Sequence, residues 1–246
     1  PDQSAARAVD DAMNRFVATQ PALPLAVALS GGADSTALLL ACAERWPGQV
    51  EALHVHHGLQ AAADEFERHC VALCARVGVP LKVRRVDARH ASGESPEAVA
   101  REYRYEALDA LVSSGSLTQT VLVAQHADDQ VETVLMHFLR GSGLSGLRGM
   151  DFRILPNPWN NEIPLIRPLL STWREEILSE LAQRKIVAIQ DESNQDLKYY
   201  RNRLRNELIP YLEKLNPGMQ KRTLQSRSIL TAGDSVINDI VATAWG

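Results

Sequence analysis

The residues most suited to chemistry lie in the turn at residues 30–36, which reads SGGADST. Gly31 and Gly32 permit a tight turn that leaves backbone N–H groups uncovered, and Ser30 and Ser35 add hydroxyl donors. A helix is predicted to begin at Asp34, so the positive end of its dipole would lie at the same point. The turn therefore predicts a phosphate site. An ordinary Gly-Gly turn capped by Asp34 is the alternative that these residues leave open.

A second group of candidate residues is a pair of carboxylates. Asp129 and Glu132 are three residues apart, so a helix would place them on one face near its N-terminus. Two such carboxylates can hold an ammonium group and accept a proton from an amine. The alternative is that they only complement the helix dipole at the surface. Asp128 is predicted to cap this helix.

Arginines form a third group. Arg201, Arg203 and Arg205 alternate along the chain, and three like charges this close repel one another unless an anion is present. We therefore predict contact with phosphate, either of a nucleotide or of a nucleic-acid backbone. Arg101 lies on a predicted helix, where a surface ion pair with Glu97 or Glu106 is the alternative to a role in catalysis.

Composition and cysteine usage exclude several classes of protein. The chain has 246 residues, of which 45% are hydrophobic, so it is globular. Its net charge of −4 argues against a simple basic nucleic-acid-binding module, but residues 198–227 carry eight basic and two acidic side chains.

Cys42, Cys70 and Cys74 form no CxxC pair, which disfavours a disulfide framework, zinc or an iron–sulfur cluster. His54 and His56 share a strand face without a third metal ligand at suitable spacing. No apolar leader or membrane-spanning stretch is evident, so we predict a cytoplasmic protein without a membrane partner.

The elements that must position these residues follow an alternating pattern. The predicted strands are Leu25–Ser30, Val50–His56, Leu81–Asp87 and Thr120–Gln125, and the helices that follow them are Asp34–Trp46, Ala62–Val77, Ser95–Ser113 and Asp128–Leu139. Four such repeats predict an α/β fold with a doubly wound, mostly parallel, Rossmann-like sheet. Ligands of such sheets bind beyond the carboxyl ends of the strands, where the strand order reverses.

The pattern changes after Arg140. A glycine-rich loop occupies residues 141–150, and helices are predicted at Thr172–Arg184, at Asn202–Leu215 and from Pro217-Gly218 to about Ala244. Because Gly141–Gly146 follows a helix rather than a strand, its GxGxxG pattern does not indicate a dinucleotide site. We predict a nucleotide-binding core at residues 1–150, the rest of the catalytic domain with the basic RNRLR segment at 151–216, and a linker helix at 217–246 that leads to a further C-terminal domain.

The turn SGGADS resembles the SGGxDS loop of the N-type ATP pyrophosphatases, also called the PP-loop family. Further motifs between residues 25 and 210 narrow the resemblance to the tRNA(Ile)-lysidine synthetases. These motifs are His54–Leu59, Glu97–Tyr105, His126–Thr133, Gly141–Met150, Asp191–Asn194 and Arg201–Arg205. Two residues depart from the usual pattern of the family: Gln125 replaces a histidine, and Gln60 replaces a frequent arginine.

The resemblance implies a fold of the adenine nucleotide alpha hydrolase type and a specific reaction. ATP would adenylate the C2 oxygen of cytidine 34 in tRNA(Ile) with the anticodon CAU, and L-lysine would then displace AMP. A tRNA 2-thiolase of the same fold is the alternative enzyme, and a noncatalytic nucleotide-sensing or RNA-binding module is the alternative outside enzymes. A homodimer is an oligomeric state to be tested.

The resemblance also implies roles for individual residues. ATP would contact Ser30, Gly31, Gly32, Ala33, Asp34 and Ser35, with His57 near the base. Asp34 would hold Mg²⁺, and Asp129 and Glu132 would bind lysine. Arg101 and Arg205 would act on the adenylated intermediate, and Arg201, Arg203 and Arg205 would contact tRNA or phosphate.

Overall fold

The computed structural model describes residues 7–56, 61–86, 105, 108–110, 112, 117–157, 159–189 and 195–245. The chain divides into two compact units. The sheet unit comprises Pro1–His126 and Phe152–Asp191, and the helical unit comprises Ala127–Asp151 and Glu192–Gly246. These units reflect packing alone, and their boundaries differ from residues 150 and 216. The functional division at those two residues stays a prediction.

The described helices are as follows, in chain order: α1 Ala8–Ala18, α2 Ala33–Arg45, α3 Ala61–Val77, α4 Ala127–Leu139, α5 Leu144–Leu147, α6 Arg174–Gln183, α7 Tyr200–Arg203, α8 Ile209–Leu215 and α9 Met219–Trp245. Four of these helices begin and end within two residues of the predicted bounds: α2, α3, α4 and α6. The helix predicted at Ser95–Ser113 falls mostly outside the described residues. Tyr105, residues 108–110 and Val112 are helical.

The sheet unit contains six described strands: β1 Leu25–Ala28, β2 Val50–His56, β3 Leu81–Arg85, β4 Thr120–Leu122, β5 Arg153–Ile154 and β6 Leu165–Ile166. Their order is β3-β2-β1-β4-β6-β5, and all neighbours are parallel except β5 and β6. The mostly parallel sheet is confirmed. The chain runs outward from β1 to β3 and then returns to β4 beside β1, so the strand order reverses between β1 and β4.

Alternate residues of the strands bury the two faces of the sheet. Leu25 and Val27 of β1 pack in one apolar cluster with residues of α1, α2 and α6, whereas Ala26 packs in a second cluster with Leu108 and Val112. Burial of each fully covered leucine or valine contributes about 1.5–3 kcal/mol. Because both faces are covered, the strands read as continuous apolar runs, as a doubly wound sheet requires.

Helix α1 was not among the sequence predictions. Its buried residues are Val9, Ala12, Met13 and Phe16, and they follow the spacing of one helical face. The Phe16 ring packs edge-on against Trp46, with ring centroids 5.6 Å apart. The signal was therefore present in the sequence as an i, i+3, i+4, i+7 pattern.

The segment predicted as one helix at Asn202–Leu215 is interrupted in the helical unit. Helix α7 begins at Tyr200, and a π-turn at Leu204–Leu208 separates it from α8. Pro210 explains the interruption, because proline has no N–H to donate to the carbonyl of residue 206 and its ring crowds that carbonyl. The wider π-turn also lets Leu204 and Ile209, five residues apart, both be buried.

Helix α9 extends from Met219 to Trp245 and packs against α4 and α5 within the helical unit. Pro217 and Gly218 precede it, as the sequence predicts, and Gly218 has a φ of +81°. In the part of the chain that the structure describes, no helix combines the length and the apolarity needed to cross a bilayer.

Candidate active site

The turn between β1 and α2 is braced by its two serines. The Ser30 N–H donates to Ser35 Oγ at 3.1 Å, the Gly32 N–H donates to Ser30 Oγ at 3.3 Å, and the Ser35 hydroxyl donates to the Gly32 carbonyl at 3.2 Å. Gly32 is the N-cap of α2, and Asp34 lies in its first turn. The interpretation of Asp34 as the capping residue is therefore wrong.

The position of Gly31 in this turn requires glycine. Its φ is +91°, a conformation that side chains with a Cβ rarely adopt. An added Cβ would lie 3.1 Å from Phe66 Cδ1 and 3.2 Å from Cys70 Sγ, both on α3. The backbone of the turn thus packs closely on α3.

The carboxylate of Asp34 lies beyond the carboxyl ends of β1 and β4. Its Oδ2 is 3.7 Å from Nε2 of His126, which follows β4 and is buried. Its Oδ1 is buried and accepts no hydrogen bond from the residues that the structure describes. A carboxylate oxygen without a donor is a ligand that Mg²⁺ prefers, so Asp34 fits the predicted metal role.

Sequence reasoning assigned no role to His126, although the residue belongs to the motif at residues 126–133. Its position after β4, next to the point of strand reversal, is the signal that could have identified it. The structure now places its imidazole beside Asp34. His126 is therefore added to the candidate site residues of the sheet unit.

The helical unit contains a compact cluster of four charged residues. Asp129 and Glu132 on α4 face Arg201 on α7 and Arg205 in the π-turn. Glu132 accepts from Arg201 Nε at 2.6 Å, from Arg205 Nε at 2.5 Å and from Arg205 Nη2 at 3.0 Å. Asp129 Oδ1 accepts from Arg201 Nη2 at 3.3 Å and from Arg205 Nη2 at 3.1 Å. We call these four residues the acid–arginine cluster.

Burial differs sharply between the two carboxylates of the acid–arginine cluster. The side chain of Glu132 is 1% exposed and that of Asp129 is 15% exposed. A buried carboxylate needs paired donors, because desolvation costs several kcal/mol per charge, and the two guanidinium groups supply them. Glu132 therefore fixes the arginines, whereas Asp129 lies closer to solvent.

The acid–arginine cluster shows which anions neutralise two of the three arginines. The sequence predicts an anion near all three, and Asp129 and Glu132 are the anions that pair with Arg201 and Arg205. Arg203 differs, because its side chain is 62% exposed and its Nε lies 3.5 Å from Glu207 Oε2. Contact of the three arginines with phosphate stays a prediction. His57, Arg101 and residues 191–194 lie outside the described residues, so their predicted roles also stay open.

The two histidines of β2 have separate partners. His54 Nδ1 lies 2.8 Å from the Leu29 carbonyl, so this nitrogen carries the proton and donates it. His56 Nε2 lies 2.9 Å from Asp64 Oδ1. Among the described residues, no group of three or more His, Cys, Asp or Glu side chains could hold a metal ion. Both histidines therefore support the sheet next to the turn.

Burial of His54 predicts a pH dependence of stability. Desolvation lowers the pKa of its imidazole below 6.5, despite the opposing effects of the Leu29 carbonyl and Glu67. The imidazole of His54 binds a proton near pH 6.5 in the unfolded chain, but only at lower pH in the folded chain. The contribution of His54 to the free energy of unfolding is therefore complete above pH 6.5 and is lost as the pH falls. We expect His54→Gln, whose amide can still donate to Leu29, to lose less stability than the wild type between about pH 7.5 and 5.5. Urea unfolding at both pH values measures this, and equal losses would contradict it.

Comparison with known proteins first defines the class. The PP-loop domain family matches residues 4–212. Among solved structures, the chain is similar to the U34-tRNA thiolase NcsA from Methanococcus maripaludis, with a TM-score of 0.73 and 18% identity over 93% of this chain and 78% of that one. It is also similar to the NH3-dependent NAD synthetase from Campylobacter jejuni, with a TM-score of 0.52 and 14% identity over 93% of this chain and 96% of that one. At these identities the likeness shows a shared fold.

Curated relatives then define the family. The tRNA(Ile)-lysidine synthase of Polaromonas naphthalenivorans is 45% identical over 95% of this chain and 70% of its own length. Those of Burkholderia mallei and Vibrio cholerae are 39% and 37% identical over 97% and 96% of this chain. The chain belongs to the tRNA(Ile)-lysidine synthase family, which confirms the resemblance. It spans about half the length of the Burkholderia and Vibrio relatives, at 49% and 53%.

Proposed function

We propose that this protein ligates L-lysine to C2 of cytidine 34 in tRNA(Ile) with the anticodon CAU. The C2 oxygen attacks the α-phosphate of ATP and diphosphate leaves. The amine of lysine then attacks C2, loses a proton, and AMP leaves with the oxygen. The observation that carries the proposal is the acid–arginine cluster, because it offers carboxylates for an ammonium and guanidinium groups for phosphate within one unit.

The turn at residues 30–35 is suited to the adenylation step. Its backbone N–H groups and the N-terminus of α2 would hold the phosphates of ATP. Asp34 would hold Mg²⁺, which when bound neutralises charge on the phosphate oxygens. His126, whose Nε2 lies 3.7 Å from Asp34 Oδ2, would orient the Asp34 carboxylate. His57 and Arg101 keep their proposed roles near the base and at the adenylated intermediate.

The acid–arginine cluster is suited to the lysine step. Glu132 is buried and holds both guanidinium groups, so its role is to position Arg201 and Arg205. Asp129 is more exposed and can meet the incoming ammonium, and a carboxylate there can accept the proton that the amine must lose. Arg205 would stabilise the charge on the departing AMP, and Arg201 and Arg203 would contact tRNA phosphates.

The chemistry of the cysteines disfavours the thiolase alternative. Cys42, Cys70 and Cys74 are all buried. Burial raises the pKa of the Cys70 thiol to about 12 and that of Cys74 to about 11, and it raises the pKa of Cys42 as well. Sulfur transfer and cluster ligation both require accessible thiolates. These cysteines therefore serve packing, and we propose that the enzyme works in a reducing compartment, the cytoplasm.

The test is incorporation of labelled lysine into a tRNA(Ile) transcript with a CAU anticodon, with and without ATP. A methionine tRNA transcript with the same anticodon is the matched control. ATP-dependent incorporation into the isoleucine tRNA alone is the expected result. Consumption of ATP without lysine transfer would contradict the proposal and favour the thiolase. A homodimer stays a prediction.

A further inference from the structure

Arg227 on α9 makes contacts that the proposed chemistry does not use. Its Nε donates to the Arg148 carbonyl at 2.5 Å, and its Nη2 donates to the Met150 carbonyl at 2.8 Å. Both carbonyls belong to the end of the glycine-rich loop. The guanidinium is partly buried, and this burial lowers its pKa. A cation is therefore withdrawn from water in order to hold two backbone carbonyls, which is a costly arrangement for an ordinary surface arginine.

The same backbone segment is held from the other side by Gln130 on α4. Gln130 Nε2 donates to the Met150 carbonyl at 2.8 Å, and the Met150 N–H donates to Gln130 Oε1 at 2.7 Å. The Gln130 side chain is buried, so this reciprocal pair is shielded from water. Met150 thus accepts two hydrogen bonds and donates one, and together they join α4 to α9.

Gly149 shows how closely the loop approaches Gln130. A Cβ at this residue would lie 2.5 Å from Gln130 Oε1 and 3.2 Å from Val134 Cγ2, and its φ is +66°. The loop could not reach this position with a larger residue. The contact between residues 148–150 and α4 therefore requires glycine at position 149.

Gln130 lies between Asp129 and Glu132 in the first turns of α4. The hydrogen bonds of the Gln130 amide to Met150 hold the first turns of α4 in place. The same turns carry the carboxylates of Asp129 and Glu132. We propose that Arg227 is a positioning residue: by holding the backbone of residues 148–150 against Gln130, it sets the orientation of Asp129 and Glu132 in the acid–arginine cluster. This inference rests on the proposed roles of Asp129 in binding lysine and of Glu132 in positioning the arginines.

The first test compares Arg227→Met with Arg222→Met in the full-length protein. Arg222 lies on the same helix, but it is exposed and donates to Asn216 and Pro217 near the start of α9. We expect Arg227→Met to raise the KM for lysine about ten-fold and to leave tRNA adenylation within about two-fold. Arg227→Lys should fall between, because an ammonium cannot span both carbonyls in the same way. An unchanged KM, or a parallel loss of adenylation and lysine transfer, would overturn the proposal.

A second pair of variants approaches the same contact from the loop. Gly149→Ala and Gly141→Ala both place a side chain at positive φ, of +66° and +71°, but nothing lies within 4 Å of a Cβ at Gly141. The two variants share the backbone strain, and only Gly149→Ala displaces Gln130. We expect only Gly149→Ala to reproduce the raised KM for lysine. Equal effects of both variants would show that strain, rather than the Gln130 contact, is responsible.

A readout independent of activity separates this inference from the proposed function. Hydrogen exchange of the Met150 amide should accelerate at least about ten-fold in Arg227→Met. The NMR shifts of the Asp129 and Glu132 carboxyl carbons should move in that variant and not in Arg222→Met. If the wild type fails to incorporate lysine, the proposed function fails, yet these shifts still decide whether Arg227 positions the carboxylates. Unmoved shifts would overturn the inference even in an active enzyme.

Discussion

Replacement of Asp129 with Asn is expected to abolish lysine transfer while adenylation of the tRNA continues. The amide keeps the size of the side chain but loses the charge that attracts an ammonium and the basicity needed to accept its proton. Lysine transfer should fall by about 100-fold or more, the usual scale for loss of a general base. Adenylation should stay within about two-fold, because Glu132 still binds both arginines through its two oxygens.

The measurement is diphosphate release and accumulation of adenylated tRNA, followed beside lysine incorporation. Glu207→Gln is the matched control, since it removes the negative charge of an exposed carboxylate paired with Arg203 in the same unit. The control should retain both steps. Loss of both steps in Asp129→Asn would assign Asp129 to the ATP half of the reaction and would contradict its proposed role with lysine.

Gly31→Ala is expected to weaken ATP binding about 100-fold, the equivalent of losing one or two charge-assisted hydrogen bonds to phosphate. The new methyl group would crowd Phe66 and Cys70 at a φ of +91°, so the turn must change conformation to relieve the strain and the contacts. Its N–H groups would then no longer point to one place. Adenylation should therefore slow, because the turn would hold the phosphates of ATP less tightly.

Gly48→Ala separates this effect from simple backbone strain. Gly48 has a φ of +74°, and nothing lies within 4 Å of a Cβ there, so the variant has the strain without the crowding. Gly48→Ala should lose about 1–2 kcal/mol of the free energy of unfolding through strain alone, and Gly31→Ala should lose more because the crowding adds to the strain. Calorimetric titration with a nonhydrolysable ATP analogue should show weakened binding only for Gly31→Ala. Equal affinities in the two variants would show that the turn does not bind phosphate.

The sheet unit was largely predictable because its signals are local. Buried strands such as β2 appear as short apolar runs, and the Gly31-Gly32 turn identifies itself by residue type. The residues that follow the fourth helix were harder to interpret. Strand β6 contains only Leu165 and Ile166, yet it lies between β4 and β5 in the sheet. Two residues are too few to show a periodicity, so pairing with β4 determines their conformation.

The acid–arginine cluster illustrates what the sequence cannot provide. Each partner was identified as a candidate from its type and spacing, but Glu132 and Arg201 are separated by 69 positions. Periodicity describes which face of a helix a residue occupies and contains no information on which distant helix meets that face. Because the sequence did not show that Glu132 and Asp129 meet Arg201 and Arg205, a phosphate from outside the chain was expected to neutralise these arginines. The same holds for Arg227, whose acceptors are backbone carbonyls and thus have no signature in residue type.

The π-turn at Leu204–Leu208 has a consequence for how this segment can change in evolution. A π-turn contains one residue more than the α-helical turn it replaces, so it behaves as a single-residue insertion in an otherwise continuous helix. Removing any one of the five would take out that extra residue and rotate the residues before the turn by about 100° relative to those after it. Arg201 would then turn away from the face that buries Ile209. A substitution keeps these orientations, whereas a change in residue number alters the orientation of every side chain on one side of the turn.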